Sequence, residues 1–327
     1  MRKLSAAAES FPIRGQFAIA RGARTESLVV AVTLTQGPAR GRGECVPYPR
    51  YDESADSVLA QIESVREAME AGCGRGELAA LLPAGAARNA LDCALWDLQA
   101  KVCGRRAWAL AGLPEPPVLI TAYTLSLDTP DAMGAAAKEQ AARPLLKVKL
   151  AGDDRDRPRV ANIRAAAPKA QLIVDANEGA SPETVQALCQ AMADLGVAMI
   201  EQPIPAGEDA VLATFKHPLP ICADEAFHTR ADLAQIAERY DLVNVKLDKT
   251  GGLTEALAVV EEASRRGLGV MVGCMLGSSL AMAPAILAAA GASIVDLDGP
   301  LLLARDRKPA LRYEGSLLHP PAAALWG

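Results

Sequence analysis

From residue 145 onward the chain carries a series of short apolar runs that end on charged or amide side chains. They read Leu145-Leu146-Lys147-Val148-Lys149, Leu172-Ile173-Val174-Asp175-Ala176-Asn177, Ala198-Met199-Ile200-Glu201, Pro220-Ile221-Cys222-Ala223-Asp224, Leu242-Val243-Asn244-Val245-Lys246 and Ile294-Val295-Asp296-Leu297-Asp298. The closing charges step by 175−149 = 26, 201−175 = 26, 224−201 = 23 and 246−224 = 22 residues. Each step has room for one strand, one helix and two loops. Short, near-continuous apolar runs are what parallel strands buried on both faces require. Charges at their carboxyl ends stand where (β/α)8 barrels keep their active sites. The spacing predicts a first strand at 118–124 followed by a helix over 130–142, a seventh strand at 269–273 and an eighth at 293–297. Ser181 (with Pro182 at the first helical position), Thr229 and Thr254 read as helix caps.

The first 115 residues have a different texture. Residues 28–35 are β-rich and stop at Gln36-Gly37-Pro38, and a second short strand ends near Glu44-Cys45-Val46. Helical spacing over 54–71 (Val58, Ile62, Val65, Met69) runs to Gly72, and another helix over 86–102 runs to Gly104. The expected architecture is therefore α/β: an N-terminal α+β capping domain at 1–115, a TIM-like (β/α)8-type barrel at 116–298, and a C-terminal segment at 299–327 returning to the capping domain.

Bulk properties narrow the partners. The net charge of −5 comes without a basic stripe, which excludes nucleic acid as the expected partner. Apolar stretches such as 281–292 are too short and too interrupted to span a bilayer, and the polar start shows no secretory signal. Seven cysteines without a CxxC pattern read as reduced, buried, cytoplasmic thiols.

Asp175, Glu201 and Asp224 close three successive strands. Aimed at one barrel mouth they repel one another unless a cation joins them, and an all-oxygen ligand set favours Mg2+, one ion per subunit. Lys147 and Lys149 lie two apart on one strand and so share a side. Lys246 comes from the sixth strand, across the mouth from the second. Neighbouring positive charge lowers a lysine's pKa, which suits a proton-transfer base. Lys249 reads more simply as a strand-end lysine reaching solvent. Asp296 and Asp298 share a face of the eighth strand end and form a pocket for a cation, although Asp298-Gly299-Pro300 also has the composition of a turn. Gly41-Arg42-Gly43 lacks the third glycine of a dinucleotide loop, the histidines are scattered, and Ser278-Ser279 lacks a nucleophile elbow.

The ladder of Lys147-Val148-Lys149, Asp175-Ala176-Asn177, Glu201-Gln202-Pro203, Asp224-Glu225 and Asn244-Val245-Lys246-Leu247-Asp248-Lys249-Thr250-Gly251-Gly252 resembles the enolase superfamily, muconate lactonising subgroup. Further matching stretches are Ile19-Ala20-Arg21-Gly22, Gly43-Glu44-Cys45-Val46-Pro47-Tyr48-Pro49-Arg50-Tyr51, residues 82–97 and Gly273-Cys274-Met275-Leu276, so the likeness runs nearly the whole length. Within that group the chain is most similar to dipeptide epimerases. The resemblance implies a Mg2+-dependent isomerase in which Asp175, Glu201 and Asp224 hold the metal. Lys149 and Lys246 remove and return the proton α to the terminal carboxylate through an enediolate, with Lys147 assisting. It implies L-Ala-D/L-Glu as substrate, from murein peptide (peptidoglycan) recycling. Asp296 and Asp298 would take the α-ammonium, Arg24 (with Arg21 nearby) the side-chain carboxylate of Glu, and Thr124, Cys274, Met275 and Leu276 would line the pocket; core packing accounts nearly as well for Met275. Other dipeptides, N-acylamino acid racemisation, cycloisomerisation and a non-catalytic peptide-binding barrel remain alternatives, and the acid pair argues against the second and third. A homo-oligomer is left open.

Overall fold

The computed structural model describes residues 1–327. Two antiparallel strands, β1 (Arg2–Ile19) and β2 (Gly22–Gln36), form a long hairpin, and β3 (Ala39–Cys45) completes a three-stranded sheet in the order β1-β2-β3. Helix Ala86–Cys103 packs across this sheet at unusually short range. A Cβ on Gly43 would lie 2.0 Å from the Ala90 carbonyl oxygen, and one on Gly41 would lie 2.2 Å from that of Ala94. Only glycine lets the two backbones meet so closely.

Strand β1 is not among the elements expected from the sequence. Its run of alanines and Pro12 hides the period of two, and Pro12 is tolerated because β1 is an edge strand. The helix expected over 54–71 is divided at Val65 into Ala55–Ser64 and Arg66–Ala71. The strand expected at 118–124 also splits. Its first part, β4 (Leu119–Ile120), later joins an antiparallel sheet, and its second, β5 (Tyr123–Leu125), opens the barrel.

Strands β6 (Leu145–Lys149), β7 (Gln171–Asp175), β8 (Met199–Glu201), β9 (Ile221–Ala223), β10 (Leu242–Val245), β11 (Gly269–Gly273) and β12 (Ile294–Asp296) follow β5 in one parallel eight-stranded sheet. The seam between the last and first strands is closed by Ala122 N–H donating to the Val295 carbonyl and Leu297 N–H donating to Thr121 Oγ1, both at 2.8 Å. The eighth strand is followed by the four-residue helix Gly299–Leu302, with Asp298 at its N-cap position but its side chain turned to Thr124 N. Strand β13 (Tyr313–Glu314) then pairs with β14 (Leu317–Leu318), and β14 pairs with β4.

Two of the expected caps take other roles. Thr254 lies inside helix Leu253–Arg265, and its hydroxyl donates to Asp92 Oδ1 at 2.6 Å. Ser181 begins a turn ahead of helix Val185–Asp194 and spends its hydroxyl on Glu183. Thr229 does cap the short helix Arg230–Asp232.

Register explains how a barrel core becomes a site. Ala122, Leu145, Ile173, Met199, Cys222, Leu242, Met271 and Ile294 pack together as the apolar floor, one contributed by each of the eight strand segments. Side chains two residues further along point the same way, one layer up. That layer consists of Thr124, Lys147, Asp175, Glu201, Asp224, Asn244, Gly273 and Asp296. Two residues higher again stand Lys149, Asn177, Lys246, Met275 and Asp298.

The capping sheet and helix close this mouth. Asp248 accepts from Val46 N (3.0 Å) and Asn89 Nδ2 (2.9 Å), and buried Glu44 accepts from Ser278 N (2.7 Å) and Arg307 Nε (2.7 Å). The chain end docks on helix Ala86–Cys103, with Trp326 Nε1 donating to the Cys93 carbonyl at 3.0 Å. No helix is long and apolar enough to cross a membrane. All seven cysteines are free, Cys103 alone being exposed.

Candidate active site

A cavity of about 690 Å³ lies between the barrel mouth and the hairpin β1–β2. Its walls include Arg24, Thr124, Lys147, Lys149, Asp224, Lys246, Cys274, Met275, Leu276, Asp296 and Asp298. Asp175 and Glu201 sit immediately beneath, fully buried. All thirteen residues singled out from the sequence therefore meet in one place. The sequence reading left out Phe17, Ile19, Tyr48, Tyr51 and Leu302, which also face the cavity. Ile19, Tyr48 and Tyr51 sit within stretches that carry the family resemblance, yet being uncharged they show no role by themselves; the fold of the cap brings them and Phe17 to the mouth.

The floor of the cavity is a lattice of carboxylates and ammonium groups. Lys147 Nζ lies 2.7 Å from Glu201 Oε2, 2.8 Å from Asp296 Oδ2 and 3.3 Å from Asp175 Oδ2. Lys149 Nζ donates to Asp175 Oδ2 at 2.6 Å, and Lys246 Nζ to Asp224 Oδ2 at 2.6 Å. Lys249, far from reaching solvent, is buried and donates to both the carbonyl oxygen and Oδ1 of Asp224 at 2.6 Å. Four lysines facing four acids leave little net charge in the lattice. A strand-end lysine looked solvent-bound in sequence because nothing in sequence placed Asp224 within its reach.

The charge states follow from this crowding. Burial opposes the ammonium of Lys147, yet Asp296, Glu201 and Asp175 outweigh it and hold its pKa well above the ordinary lysine value. Lys246 is likewise raised by Asp224 and Glu201 against burial, so the depressed base expected from neighbouring positive charge is not what this arrangement gives. At Lys246 the attraction of Asp224 and Glu201 exceeds the repulsion of Lys147. Only Lys249 is lowered, by burial. Asp175 and Asp224 are held below the usual carboxylate range by their lysines despite burial. Glu201 goes the other way, pushed up to about 7 by burial and by Asp175.

Glu201 has the least satisfied oxygen of the three acids. Its Oε1 accepts from Asn244 Nδ2 at 2.7 Å, while its buried Oε2 takes no hydrogen bond even with Lys147 nearby. The three acids are not gathered in ligand geometry; a lysine ammonium faces each one. Their chemistry nevertheless suits a hard divalent ion: oxygen donors only, full burial, mutual repulsion and an unsatisfied carboxylate oxygen. The loops behind them are tightly set. Asn177, Glu178 and Gln202 all adopt positive φ, at 47°, 68° and 35°, directly after Asp175 and Glu201. Gln202 Oε1 in turn accepts from Asp224 N at 2.8 Å. Strained backbone that the surroundings hold in place is common around functional groups.

At the other end of the cavity, Asp298 Oδ2 accepts from Thr124 N at 2.6 Å, and its pKa is pushed up to about 7 by burial and by Asp296. Asp296 Oδ1 is buried without a partner. Arg24 lines the wall with no hydrogen bond or ion pair to the protein, whereas Arg21 is fully engaged with the protein.

The residue pattern and its three-dimensional convergence match known families. Residues 1–112 match the N-terminal domain of mandelate racemase/muconate lactonizing enzymes, and residues 132–323 match the enolase C-terminal domain-like family. The chain belongs to the enolase superfamily. It is 51% identical over 321 residues to the L-Ala-D/L-Glu epimerase of Escherichia coli K12, covering 98% of this chain and 100% of that one. It is 46% identical over 306 residues to an N-acetyl-D-glutamate racemase of a Pseudoalteromonas species, covering 91% and 95%. Among solved structures, an Agrobacterium tumefaciens member with bound sodium and L-Ala-L-Glu superposes with a TM-score of 0.97 at 53% identity, covering 100% of both chains. A dipeptide epimerase of Enterococcus faecalis, complexed with Mg and L-Leu-L-Tyr, gives a TM-score of 0.90 at 26% identity, covering 98% and 96%.

Proposed function

We propose that this protein is a Mg2+-dependent dipeptide epimerase acting on L-Ala-D/L-Glu, inverting the carbon α to the terminal carboxylate. The observation that carries the reading is that Lys149 and Lys246 line one cavity from strand positions four apart in a ring of eight, hence on opposite sides of anything bound between them. A binding protein has no use for a proton acceptor on each face of its ligand.

Asp175, Glu201 and Asp224 would hold the metal, which would supply Lewis-acid stabilisation of the charge building on the substrate carboxylate, worth several kcal/mol. One lysine, having lost its proton, takes the α-hydrogen from its own face. The other, charged, delivers a proton to the opposite face, and the centre inverts. For the opposite enantiomer the two exchange roles. Positioned proton transfer of this kind contributes roughly 10²- to 10⁴-fold per group. Lys147 keeps a third ammonium beside the developing negative charge.

Arg24, without a partner in the protein, takes the side-chain carboxylate of the Glu residue. Asp296, with its unpartnered Oδ1, and Asp298 take the α-ammonium of the first residue. Thr124, Cys274, Met275 and Leu276 shape the walls between these ends. The same reading assigns the activity to murein peptide metabolism in the cytoplasm. Racemisation of N-acetylglutamate is the second reading, favoured by the Pseudoalteromonas relative; it leaves the acid pair without a cation to bind.

Incubating the Mg2+-loaded protein with L-Ala-L-Glu or with N-acetyl-L-glutamate, and separating products by chiral chromatography, tests the assignment. The expected result is L-Ala-D-Glu formation that stops on chelation of the metal. Turnover of N-acetylglutamate alone would transfer the assignment to the second reading, and turnover of neither would end both.

A further inference from the structure

Arg21 occupies the tip of the hairpin β1–β2 and reaches across to the far side of the barrel mouth. Its Nη2 donates to Glu225 Oε1 at 2.7 Å and to Tyr48 OH at 3.2 Å, and its Nη1 to the Asn177 carbonyl at 3.1 Å and Glu178 Oε2 at 3.2 Å. Asn177 and Glu178 follow β7 and Glu225 follows β9, the third and fifth barrel strands, while Tyr48 belongs to the cap just after β3. The near side of the hairpin is tied elsewhere: Ala18 N donates to Ser126 Oγ at 2.7 Å, and Leu127 N donates to the Ala18 carbonyl at 3.0 Å, both partners lying beyond β5, the first barrel strand. First and fifth strands are opposite in a ring of eight. The hairpin therefore bridges the mouth, with Phe17 and its register partner Arg24 over the cavity.

The far anchorage is built in advance of Arg21. Glu178 is already fixed by Arg50, at 2.9 and 3.0 Å, and by Ala206 N at 2.9 Å. Glu225 is 5% exposed, has Arg21 as its sole ion-pair partner, and keeps Oε2 without any hydrogen bond. A buried carboxylate with one cationic partner makes that partner hard to replace. Burial lowers the guanidinium's proton affinity, but Glu225 and Tyr48 more than restore it, so Arg21 stays charged.

We infer that Arg21 is a positioning residue: by latching the hairpin to Glu225 and to the loop carrying Asn177 and Glu178, it presets Arg24 over the cavity to meet the side-chain carboxylate of an acidic substrate. The inference rests on the proposed epimerase reading for its substrate, and on the contacts alone for the latch. It makes acid selectivity a property of two arginines, one that touches the ligand and one that does not.

The experiment compares the Mg2+-loaded wild type with Arg21→Met, Arg24→Met and the double variant, on L-Ala-L-Glu and the near-isosteric L-Ala-L-Gln. Arg21→Met is expected to raise KM for L-Ala-L-Glu roughly tenfold while kcat and the KM for L-Ala-L-Gln change by less than about twofold, and to add nothing in the Arg24→Met background. Equal losses on both dipeptides, or additive losses in the double variant, would mean general damage to the mouth and overturn the inference. If the wild type turns over neither dipeptide, the epimerase reading fails while the latch is still decided by hydrogen exchange. Amides of residues 16–26 are expected to exchange at least about tenfold faster in Arg21→Met; unchanged protection there would overturn the latch whatever the substrate.

Discussion

Asp296 shows how one side chain serves two masters. Its Oδ2 is bound to Lys147, and its Oδ1 is buried with no partner. A cationic ligand group would satisfy that second oxygen, and hydrogen bonds to charged groups are worth about 1.5–3 kcal/mol. Asp296→Asn is therefore expected to lower kcat/KM for L-Ala-L-Glu by roughly tenfold to a hundredfold, with a smaller loss for N-acetyl-L-glutamate, which has no ammonium. Steady-state kinetics on the two substrates check this; equal losses would show that Asp296 acts only through Lys147. At this scale the sequence exposed the charged residues because charge at the end of an apolar run is conspicuous. It did not expose their charge states. Lys246 looked like a lysine among lysines, and the structure sets it 2.6 Å from Asp224. Nor did it expose uncharged Tyr51, which reaches the cavity only through the turn Pro49–Tyr51 and stacks edge-on against His228 at 4.7 Å.

Among the elements, β3 and helix Ala86–Cys103 form the contact that orients the cap. Gly43 lies so close to the helix that an added methyl would meet the Ala90 carbonyl oxygen, backbone that cannot move aside cheaply. Gly43→Ala is expected to cost at least about 2 kcal/mol through overpacking and to lower the thermal midpoint by several degrees, measured by calorimetry. An unchanged midpoint would show that the sheet slides freely on the helix. The barrel strands were legible because β6, β7 and β10 are short, mostly apolar runs that end at or beside a charged residue and recur at similar spacing. Strand β1 was not, since Ala6-Ala7-Ala8 and Pro12 erase the alternation that pairing with β2 imposes. The segment 118–124 read as one strand because its break at Thr121 and Ala122 is made by distant partners, Ser316 and Val295, that local sequence does not contain. Thr254 read as a cap because its partner Asp92 lies 162 residues away.

For the whole molecule, cap and barrel meet through buried acids. Asp248 accepts from Val46 N and Asn89, and burial, with Glu53 and Glu44 nearby, pushes its pKa up to about 7. In the unfolded chain an aspartate titrates near 3.9. The folded protein thus binds this proton more tightly, so the contribution is complete below about pH 4 and is lost as pH rises through about 7. Asp248→Asn is expected to flatten the fall in stability over that window and to leave the variant more stable than wild type at pH 8, as read by denaturant titration; a parallel pH profile in both proteins would contradict this. The docked cap then completes a cavity whose opposite walls carry the two lysines. Their assignment to opposite faces is tested most directly by α-proton exchange in deuterated water, followed by NMR with the Mg2+-loaded Lys149→Ala and Lys246→Ala variants on L-Ala-L-Glu and L-Ala-D-Glu separately. Neither variant should epimerise, and each should retain exchange with one epimer only, the two variants retaining it with opposite epimers. Exchange of both epimers by either variant, or full epimerisation after loss of one lysine, would contradict the two-sided mechanism.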